Sequence, residues 1–307
     1  MSIALSITNF TKYYGSFKAV DDLCLEIQEG EFFGLLGPNG AGKSTTIHSI
    51  TGLANFQQGE IRVMGYDVKD NYKESRSLIG LAPQEVNFDP FLNAEQILFY
   101  TGGYYGLTRK RSKERSVELL KQFNLLDSRK LTYKHLSGGM KRRLLIARSL
   151  VHEPKILILD EPTAGVDLEL RYLLWEHLKE LNEQGTTIIL TTHYIEEAER
   201  LCNRIGIINH GKLIACDEKN ALIQKIRKDT LLIQVRDSIT EVPKNLQKYD
   251  VSIQEDGKHL VFREEKETLN TILKKIQDAK LYIERIEIDP VTLEDVFRDL
   301  TITGTRV

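Results

Sequence analysis

Short apolar runs alternate with segments of helical periodicity over most of the chain. Residues 31–36, 156–159 and 186–192 form apolar runs typical of strands buried on both faces of a parallel sheet. A helix-like segment follows each of them, at residues 44–50, 168–184 and 196–201. This β-α-β order predicts an α/β fold with a parallel sheet and right-handed crossovers.

Two regions depart from this alternation. Residues 3–10, 19–27 and 31–36 are strand-like runs separated by turns, and they predict a small, partly antiparallel sheet at the start of the chain. Residues from about 85 to 150 show helical periodicity, strongest at 93–101 and 112–123. We therefore expect a helical insertion within the α/β domain.

The last part of the chain has a pattern of its own. Strand-like runs occur at residues 231–235, 251–254, 259–262 and 281–288, with helix-like segments at 268–279 and 291–300. This order predicts a small α+β domain, which carries no metal, nucleophile or phosphate pattern. The predicted domains are residues 1–226 and 227–307.

The composition narrows the classes of partner. The net charge of −2 gives no reason to expect nucleic acid or an anionic membrane as a partner. Cys24, Cys202 and Cys216 form no C-x-x-C pair, which argues against a disulfide framework or a zinc site and for a reducing compartment. No signal peptide pattern is visible, and every apolar run is far shorter than the ~20 residues of a membrane helix. The chain is therefore predicted not to cross a membrane alone.

A phosphate-binding loop is predicted between the strand at 31–36 and the helix at 44–50. Its sequence is Gly37-Pro38-Asn39-Gly40-Ala41-Gly42-Lys43-Ser44-Thr45, which fits G-x-x-x-x-G-K-[ST] without a mismatch. Glycines let the backbone N–H groups approach phosphate oxygens, and the helix N-terminus adds its positive end. Lys43 is then expected to neutralise the β- and γ-phosphates of a nucleotide, and Ser44 to bind Mg²⁺.

Polar side chains that suit phosphate chemistry follow three other strands. Asp160 and Glu161 end the strand at 156–159, where Asp160 is expected to bind Mg²⁺ and Glu161 to activate a water molecule, unless the pair is merely exposed. Gln84 follows the strand at 78–82 and either reaches Mg²⁺ and the attacking water or is a solvated loop residue. His193 ends the strand at 186–192 and either contacts a γ-phosphate or has a structural role.

Two further patterns have both a functional and a structural explanation. Ser137-Gly138-Gly139 precedes a helix-like segment, and its hydroxyl and N–H groups form either a second phosphate cradle or an ordinary helix cap. Tyr14 precedes the phosphate loop, and its ring either stacks on an adenine or packs against the protein.

Aromatic residues are concentrated in the predicted helical insertion. They either belong to the core or form an apolar surface that faces a partner. The six are Phe88, Phe91, Phe99, Tyr100, Tyr104 and Tyr105.

Taken together, the motifs resemble those of the ATP-binding cassette (ABC) ATPases. The phosphate loop, Gln84, the Leu136-Ser137-Gly138-Gly139 segment, the strand ending in Asp160-Glu161, and His193 occur in the order and spacing of that family, over residues 1 to about 225. The resemblance implies a P-loop NTPase fold with an antiparallel β subdomain and a helical subdomain. It also implies a homodimer of cassettes that encloses two ATP molecules with Mg²⁺.

The resemblance assigns a role to each motif residue. Ser137 and Gly139 are expected to bind the γ-phosphate held by the other subunit's Lys43, with Asp167 at the subunit interface. Glu161 is expected to be the general base, with His193 and Gln84 at the γ-phosphate and Tyr14 on the adenine. Met140 and the sequence Ala164-Gly165-Val166-Asp167 differ from the commonest family pattern but are familiar in the bacterial drug-exporter branch.

The ending Thr292-Leu293-Glu294-Asp295-Val296-Phe297 also resembles that branch, the daunorubicin-resistance-like exporter ATPases. The implied function is ATP hydrolysis for a separate polytopic permease at the cytoplasmic face of the inner membrane, with a drug, lipid or polysaccharide-type cargo. The alternative is a non-transport ABC ATPase in translation or DNA repair. Such proteins usually carry two cassettes per chain or a long coiled coil, and this chain has one set of motifs and no sustained heptads.

Overall fold

The computed structural model describes residues 2–85, 87–226, 230–254, 256–262, 269–289 and 291–303. The chain separates into two compact units, Met1–Lys219 and Asn220–Val307. The predicted domain boundary falls after residue 226, at the end of a helix, and it stays a prediction.

A six-stranded, mainly parallel sheet forms the centre of the first unit. Its order is β10-β9-β3-β8-β7-β6, and only β10 is antiparallel to its neighbour. β3, β7 and β8 are buried along their whole length, as expected for central parallel strands. The strands are β3 (Phe32–Leu36), β6 (Ile79–Ala82), β7 (Ile156–Asp160), β8 (Thr187–Thr192), β9 (Arg204–Asn209) and β10 (Lys212–Glu218).

A second, antiparallel sheet of four strands packs on the first one. It has the order β2-β1-β4-β5, with β1 (Ile3–Tyr14), β2 (Phe17–Gln28), β4 (Gln58–Val63) and β5 (Tyr66–Asp67). Phe10, Leu23 and Ile61 from this sheet share one hydrophobic core with Phe33 and Ile158 from the parallel sheet. Residues 31–36 were predicted to belong to the antiparallel sheet, and this grouping is wrong. The run has no alternation of polar residues and lies between two buried parallel strands, β8 and β9.

Helices cover the parallel sheet and form the predicted insertion. Three of them, α3, α4 and α5, lie between β6 and β7 in the chain. Helices α3, α4, α5 and α6 begin at an Asn, a Thr, a Ser and an Asp cap, respectively. The side chain of each cap accepts a hydrogen bond from a backbone N–H of the first turn. The helices are α1 (Lys43–Ile50), α2 (Tyr72–Ser77), α3 (Ala94–Tyr104), α4 (Arg109–Gln122), α5 (Gly138–Ser149), α6 (Leu168–Glu183), α7 (Ile195–Leu201) and α8 (Lys219–Ile226). The short elements α2, β5, α8 and β10 were not predicted.

The second unit is an antiparallel sheet with helices, as the strand pattern predicted. Its order is β12-β13-β11-β14, and α9 packs Ile272 and Ile276 into a core with Leu231, Ile233 and Phe262. The elements are β11 (Thr230–Val235), β12 (Val251–Ile253), β13 (His259–Phe262), α9 (Leu269–Asp278), β14 (Ile283–Asp289) and α10 (Leu293–Arg298), followed by a π-helical turn at Asp299–Thr303.

The aromatic cluster of the insertion does not form a core. Phe91, Tyr100, Tyr104 and Tyr105 are exposed, with 79% and 90% of Phe91 and Tyr104 accessible, and Phe88 and Phe99 are half-buried. Across the described ranges, no helix has the length and apolar character that a bilayer crossing requires.

The three cysteines are free and differ in their environment. Cys24 on β2 is exposed, whereas Cys202 is buried and Cys216 is half-buried. Burial raises the pKa of both Cys202 and Cys216 above the ordinary value of a thiol.

Candidate active site

The phosphate loop joins the C-terminal end of β3 to the first turn of α1. Gly42 precedes α1 with φ +110°, and a β-carbon there would lie 2.8 Å from the carbonyl oxygen of Ala19. Only glycine avoids both the strained backbone and this contact. Gly37 and Ala41 are buried, while Asn39 and Gly40 are exposed at the tip of the loop. The loop therefore carries the N-terminus of an eight-residue helix behind it, which suits phosphate binding.

The ammonium group of Lys43 lies inside this loop. Lys43 Nζ donates to the carbonyl oxygens of Gly37 at 2.8 Å and Pro38 at 3.2 Å, and it lies 3.8 Å from Glu161 Oε1. Burial lowers the pKa of Lys43, and the carboxylates of Glu161 and Asp160 oppose this shift. Lys43 Nζ therefore lies between the loop carbonyls and the Glu161 carboxylate.

Asp160 lies at the C-terminal end of β7, opposite the phosphate loop. Its Oδ1 accepts a hydrogen bond from Thr191 Oγ1 on β8 and lies 3.4 Å from Ser44 Oγ. Asp160 is 3% exposed, so this carboxylate is not merely a surface group. The arrangement gives a carboxylate and a hydroxyl side by side next to the phosphate loop.

The neighbouring Glu161 carboxylate contacts three other residues of the predicted site. Gln84 Nε2 donates to Glu161 Oε2 at 3.1 Å, and His193 Nδ1 lies 3.1 Å from Glu161 Oε1. With Lys43, these contacts bring one residue from each of three other predicted motifs to the Glu161 carboxylate. The backbone of Glu161 also has φ +48°, a left-handed conformation that residues other than glycine rarely adopt. Such backbone conformations persist where the surrounding structure enforces them, often at functional sites.

The residues fit a Mg²⁺ ion by the chemistry of their donors. Ser44, Asp160 and Gln84 line one cleft of about 420 Å³, and each offers an oxygen. Mg²⁺ prefers oxygen ligands and takes few from the protein, because phosphate and water supply the rest. Three protein oxygens beside a phosphate loop match this requirement.

The predicted second phosphate cradle lies in a separate cleft. Ser137, Gly138 and Gly139 line a cavity of about 670 Å³ with Asp167, and Gln84 lines this cavity as well as the first one. In the described part of the chain, no contact joins these three residues to Lys43 or Ser44. The Ser137 hydroxyl caps α5 by accepting a hydrogen bond from the Met140 N–H at 3.2 Å. Ser137 therefore does act as a helix cap, which was one of the two roles that the sequence allowed. Gly139 packs so closely on Leu170 of α6 that a β-carbon there would lie 1.8 Å from a leucine methyl.

Tyr14 lies at the end of β1 and remains accessible. Its ring is 48% exposed, and Lys12 Nζ lies 4.4 Å from the ring centroid. Residues 12–14 were predicted to connect two strands, but β1 continues through them to the tight turn at Gly15. The ring is therefore free to stack on a planar ligand.

Three residues near the site were not singled out by the sequence. Thr191 orients Asp160, and it was visible only as a hydroxyl at the end of an apolar strand. Arg142 is 4% exposed although it is a cation, and it was visible only as a charge on the buried side of α5. Glu197 is fully buried on α7, where its Oε1 accepts from Thr163 Oγ1 at 2.9 Å and Trp175 Nε1 at 3.1 Å.

Glu197 is expected to make the stability of the protein depend on pH. Burial raises the pKa of Glu197 in the folded state, and hydrogen bonds from Thr192, Trp175 and Thr163 oppose the shift. The folded state therefore holds this proton more tightly than the unfolded state, whose glutamates titrate near pH ~4.3. The free energy of unfolding should fall as the pH rises above that value.

We expect Glu197→Gln to remove this contribution and flatten the profile of unfolding midpoint against pH. Denaturant unfolding between pH 4 and pH 8 measures it. Glu196→Gln, an exposed change on the same helix, is the control and should keep the wild-type profile. A Glu197→Gln profile parallel to that of the wild type would contradict the prediction.

Two family models match the chain in succession. Residues 20–164 match the ABC transporter family, and residues 220–301 match a family described as the ATP-binding protein DrrA1-3-like C-terminal domain. The two matched segments fall within the first and the second compact unit respectively.

Curated relatives and solved structures agree with these matches. The chain is 43% identical to the linearmycin resistance ATP-binding protein LnrL of Bacillus subtilis, over 74% of this chain and 73% of the relative. It is 37% identical to the Nod factor export ATP-binding protein I of Paraburkholderia xenovorans, over 97% of both chains. A solved ATP-binding subunit of an ABC transporter superposes with a TM-score of 0.67 at 30% identity, covering 72% of this chain and 92% of the other. A dimeric cassette in a post-hydrolysis state with ADP and Pi gives 0.64 at 29% identity, covering 70% and 98%.

Proposed function

Because the chain belongs to the ABC transporter family of ATPases, we propose that it is the ATP-hydrolysing subunit of a bacterial exporter and that Glu161 is its general base. The observation that carries this proposal is the convergence of Lys43, Gln84 and His193 on the Glu161 carboxylate beside the phosphate loop. A purely structural ion pair would need only one of these partners. Hydrolysis needs a cation for the phosphates, a polar group that contacts the γ-phosphate, and a base for the water, all at one point.

In the proposed reaction, ATP binds with its phosphates in the loop of residues 37–45. Lys43 moves from the loop carbonyls and Glu161 to the β- and γ-phosphate oxygens, and this frees the carboxylate. Glu161 then takes a proton from the water that attacks the γ-phosphorus, while His193 and Gln84 hold the γ-phosphate and the water. As the new bond forms, the bond from the γ-phosphorus to the oxygen that bridges it to the β-phosphate breaks, and ADP and inorganic phosphate are released. Ser44, Asp160 and Gln84 would hold Mg²⁺, whose charge would neutralise the phosphates and the ADP leaving group. Tyr14 stacks on the adenine.

We further propose that two copies of the chain enclose the nucleotides between them. Ser137, Gly138 and Gly139 offer a hydroxyl and helix N-terminal N–H groups in a cleft that has no contact with Lys43 in the described part of one chain. If a second copy places its Lys43 opposite this cleft, each nucleotide contacts the phosphate loop of one copy and the segment Ser137–Gly139 of the other. The solved dimeric relatives support this arrangement, and Asp167 would then lie at the interface.

Ser137→Ala should weaken ATP-driven dimerisation about tenfold or more and leave nucleotide binding by the monomer unchanged. The reason is the loss of one hydrogen bond to a charged phosphate in the shared site only. Sedimentation of the Glu161→Gln chain with and without Ser137→Ala measures dimerisation, and titration of a fluorescent nucleotide at low protein concentration measures binding.

The matched control for this change is Thr108→Ala. Thr108 caps α4 as Ser137 caps α5, by accepting an N–H three residues on. Both variants therefore lose a helix cap, at a cost of about 1 kcal/mol, but only one loses a proposed phosphate contact. Equal effects of Ser137→Ala on dimerisation and on monomer binding would argue against the shared site.

The exposed aromatic side chains of the helical insertion are the proposed contact with a separate membrane permease. Phe91, Tyr100, Tyr104 and Tyr105 are all accessible, and such apolar side chains are the usual anchors of protein interfaces. Through the permease the chain would be held at the cytoplasmic face of the inner membrane. The relatives are named for linearmycin resistance and for Nod factor export, which supports the assignment as an exporter. The proposed cargo is of a drug, lipid or polysaccharide type.

Affinity purification of the tagged chain from solubilised native membranes tests this assignment. We expect a stoichiometric polytopic membrane protein, and we expect Phe91→Ser with Tyr104→Ser to lose it while ATP hydrolysis by the isolated chain persists. Tyr282→Ser, a change at an exposed tyrosine of the second unit, is the control. A chain recovered with ribosomes or DNA, and with no membrane protein, would instead favour a role in translation or repair.

A further inference from the structure

The guanidinium group of Arg142 is buried at the junction of three segments of the first unit. Arg142 is the fifth residue of α5, five positions after the cap Ser137, and it is 4% exposed. Its hydrogen bonds go only to backbone carbonyl oxygens, and no carboxylate pairs with it among the residues that the structure describes. Those acceptors are the carbonyls of Gln84 at 2.9 Å, Pro83 and Asp160 at 3.3 Å each, and Glu161 and Pro162.

These carbonyls lie where the chain leaves the sheet. β6 ends at Ala82 and β7 ends at Asp160, so the carbonyl oxygens beyond these residues lack partners in the sheet. Buried carbonyls need donors, and arginine offers five N–H groups in one plane. Arg142 therefore satisfies two strand ends at once and connects them to the helix that begins with Ser137.

The contact with Glu161 acts on an unusual backbone. Glu161 has φ +48°, a conformation that costs a residue with a side chain about 1 kcal/mol. On one side its N–H donates to the Thr191 carbonyl at 3.0 Å, and on the other side its carbonyl accepts from Arg142 and from the Ala164 N–H at 3.2 Å. Arg142 and the turn that follows Glu161 thus together hold the carbonyl group of this strained residue.

We infer that Arg142 is a positioning residue, which holds the proposed base Glu161 and the sensor Gln84 in place through their backbones and links both to the helix of Ser137. The inference rests on the proposed function, because it takes Glu161 as the base and Gln84 as the residue that senses the γ-phosphate. Arg142 also lines the cleft of Ser137, Gly138 and Gly139, which joins the two parts of the site. The guanidinium geometry is required, since the ammonium group of lysine has three donors and no planar fork.

A comparison of Arg142→Lys in two backgrounds tests the inference. In the otherwise wild-type chain we expect kcat for ATP hydrolysis to fall on the order of 10–100-fold, because a misplacement of about 1 Å at the base costs that much. KM for ATP should change less than about threefold, because Lys43 and the phosphate loop are untouched. In the Glu161→Gln background, the same change should lower the residual single-turnover rate by a factor at least about fivefold smaller, since the base is already gone and only Gln84 remains to be positioned.

Arg115→Lys is the control. Arg115 lies on α4 in the helical insertion, and its guanidinium also donates to a backbone carbonyl, that of Leu150 at 3.2 Å, and to the Glu118 carboxylate at 3.0 Å. This change should leave kcat within about twofold of the wild-type value.

The possible results separate this inference from the proposed function. If Glu161→Gln alone hydrolyses ATP at the wild-type rate, the proposed base is wrong. If Glu161→Gln is slow but Arg142→Lys lowers both backgrounds by the same factor, Arg142 has only a structural role. Arg142→Gln, which keeps a planar donor, replaces the lysine variant if the latter does not fold. If neither variant folded, or if kcat were unchanged, the inference would be overturned.

Discussion

Lys43→Ala is expected to abolish ATP binding, with a loss in affinity of at least about 100-fold. The ammonium group is the one cation among the described residues that contacts both the phosphate loop and the Glu161 carboxylate. Its removal takes away a charge-assisted contact with phosphate. It also takes a positive charge away from Glu161, so that this carboxylate repels the incoming triphosphate.

Calorimetric titration with ATP and Mg²⁺ measures this effect. Lys43→Met, which keeps the length of the side chain, should behave like Lys43→Ala, and Lys110→Ala on the exposed surface of α4 should bind as the wild type does. The unfolding midpoint of each variant shows whether it is folded. An affinity of Lys43→Ala within about threefold of the wild-type value would mean that ATP does not bind in this loop.

Glu161→Gln is expected to lower kcat by about 10²–10⁴-fold and to leave ATP affinity nearly unchanged. Glutamine has the same shape and can keep the contact with Gln84, but it cannot take a proton from water. It also removes a negative charge 3.8 Å from Lys43 Nζ, which favours binding of the triphosphate. Because hydrolysis is blocked after binding, the ATP-bound dimer should accumulate.

Single-turnover hydrolysis and sedimentation in the presence of ATP measure the two parts of this prediction. Glu176→Gln, a change at an exposed position in the middle of α6, is the control and should keep wild-type turnover without trapping a dimer. A Glu161→Gln chain that hydrolyses ATP at the wild-type rate would show that another group activates the water.

The sequence predicts the fold well wherever local pattern and burial agree. The strand before Gly37 and the one that carries Asp160 are apolar throughout and lie in the buried centre of the sheet. Residues 31–36 were nevertheless also grouped with the first sheet, because strand pattern alone does not tell which neighbour a strand pairs with. The short elements β5 (Tyr66–Asp67) and α2 (Tyr72–Ser77) have too few residues to show a period.

The same contrast holds for the site. Lys43, Gln84, Glu161 and His193 lie in recognisable motifs, and the structure brings them together around one carboxylate. Arg142 and Glu197 carry no motif, because a buried charge is recognisable only when the groups that surround it are known. The roles of Ser137, Gly138, Gly139 and Tyr14 stay predictions, since one copy of the chain without nucleotide does not contain both sides of the proposed site.

The unequal burial of the three cysteines makes the natural chain suitable for selective labelling. A thiol reacts as its thiolate and must be reached by the reagent, so the buried Cys202 and half-buried Cys216, with their raised pKa values, should react far more slowly than the exposed Cys24. Cys24 lies on β2, the strand whose Ala19 carbonyl lies against the phosphate loop at Gly42. A maleimide fluorophore is therefore expected to attach to the strand that contacts the phosphate loop, without any engineered cysteine.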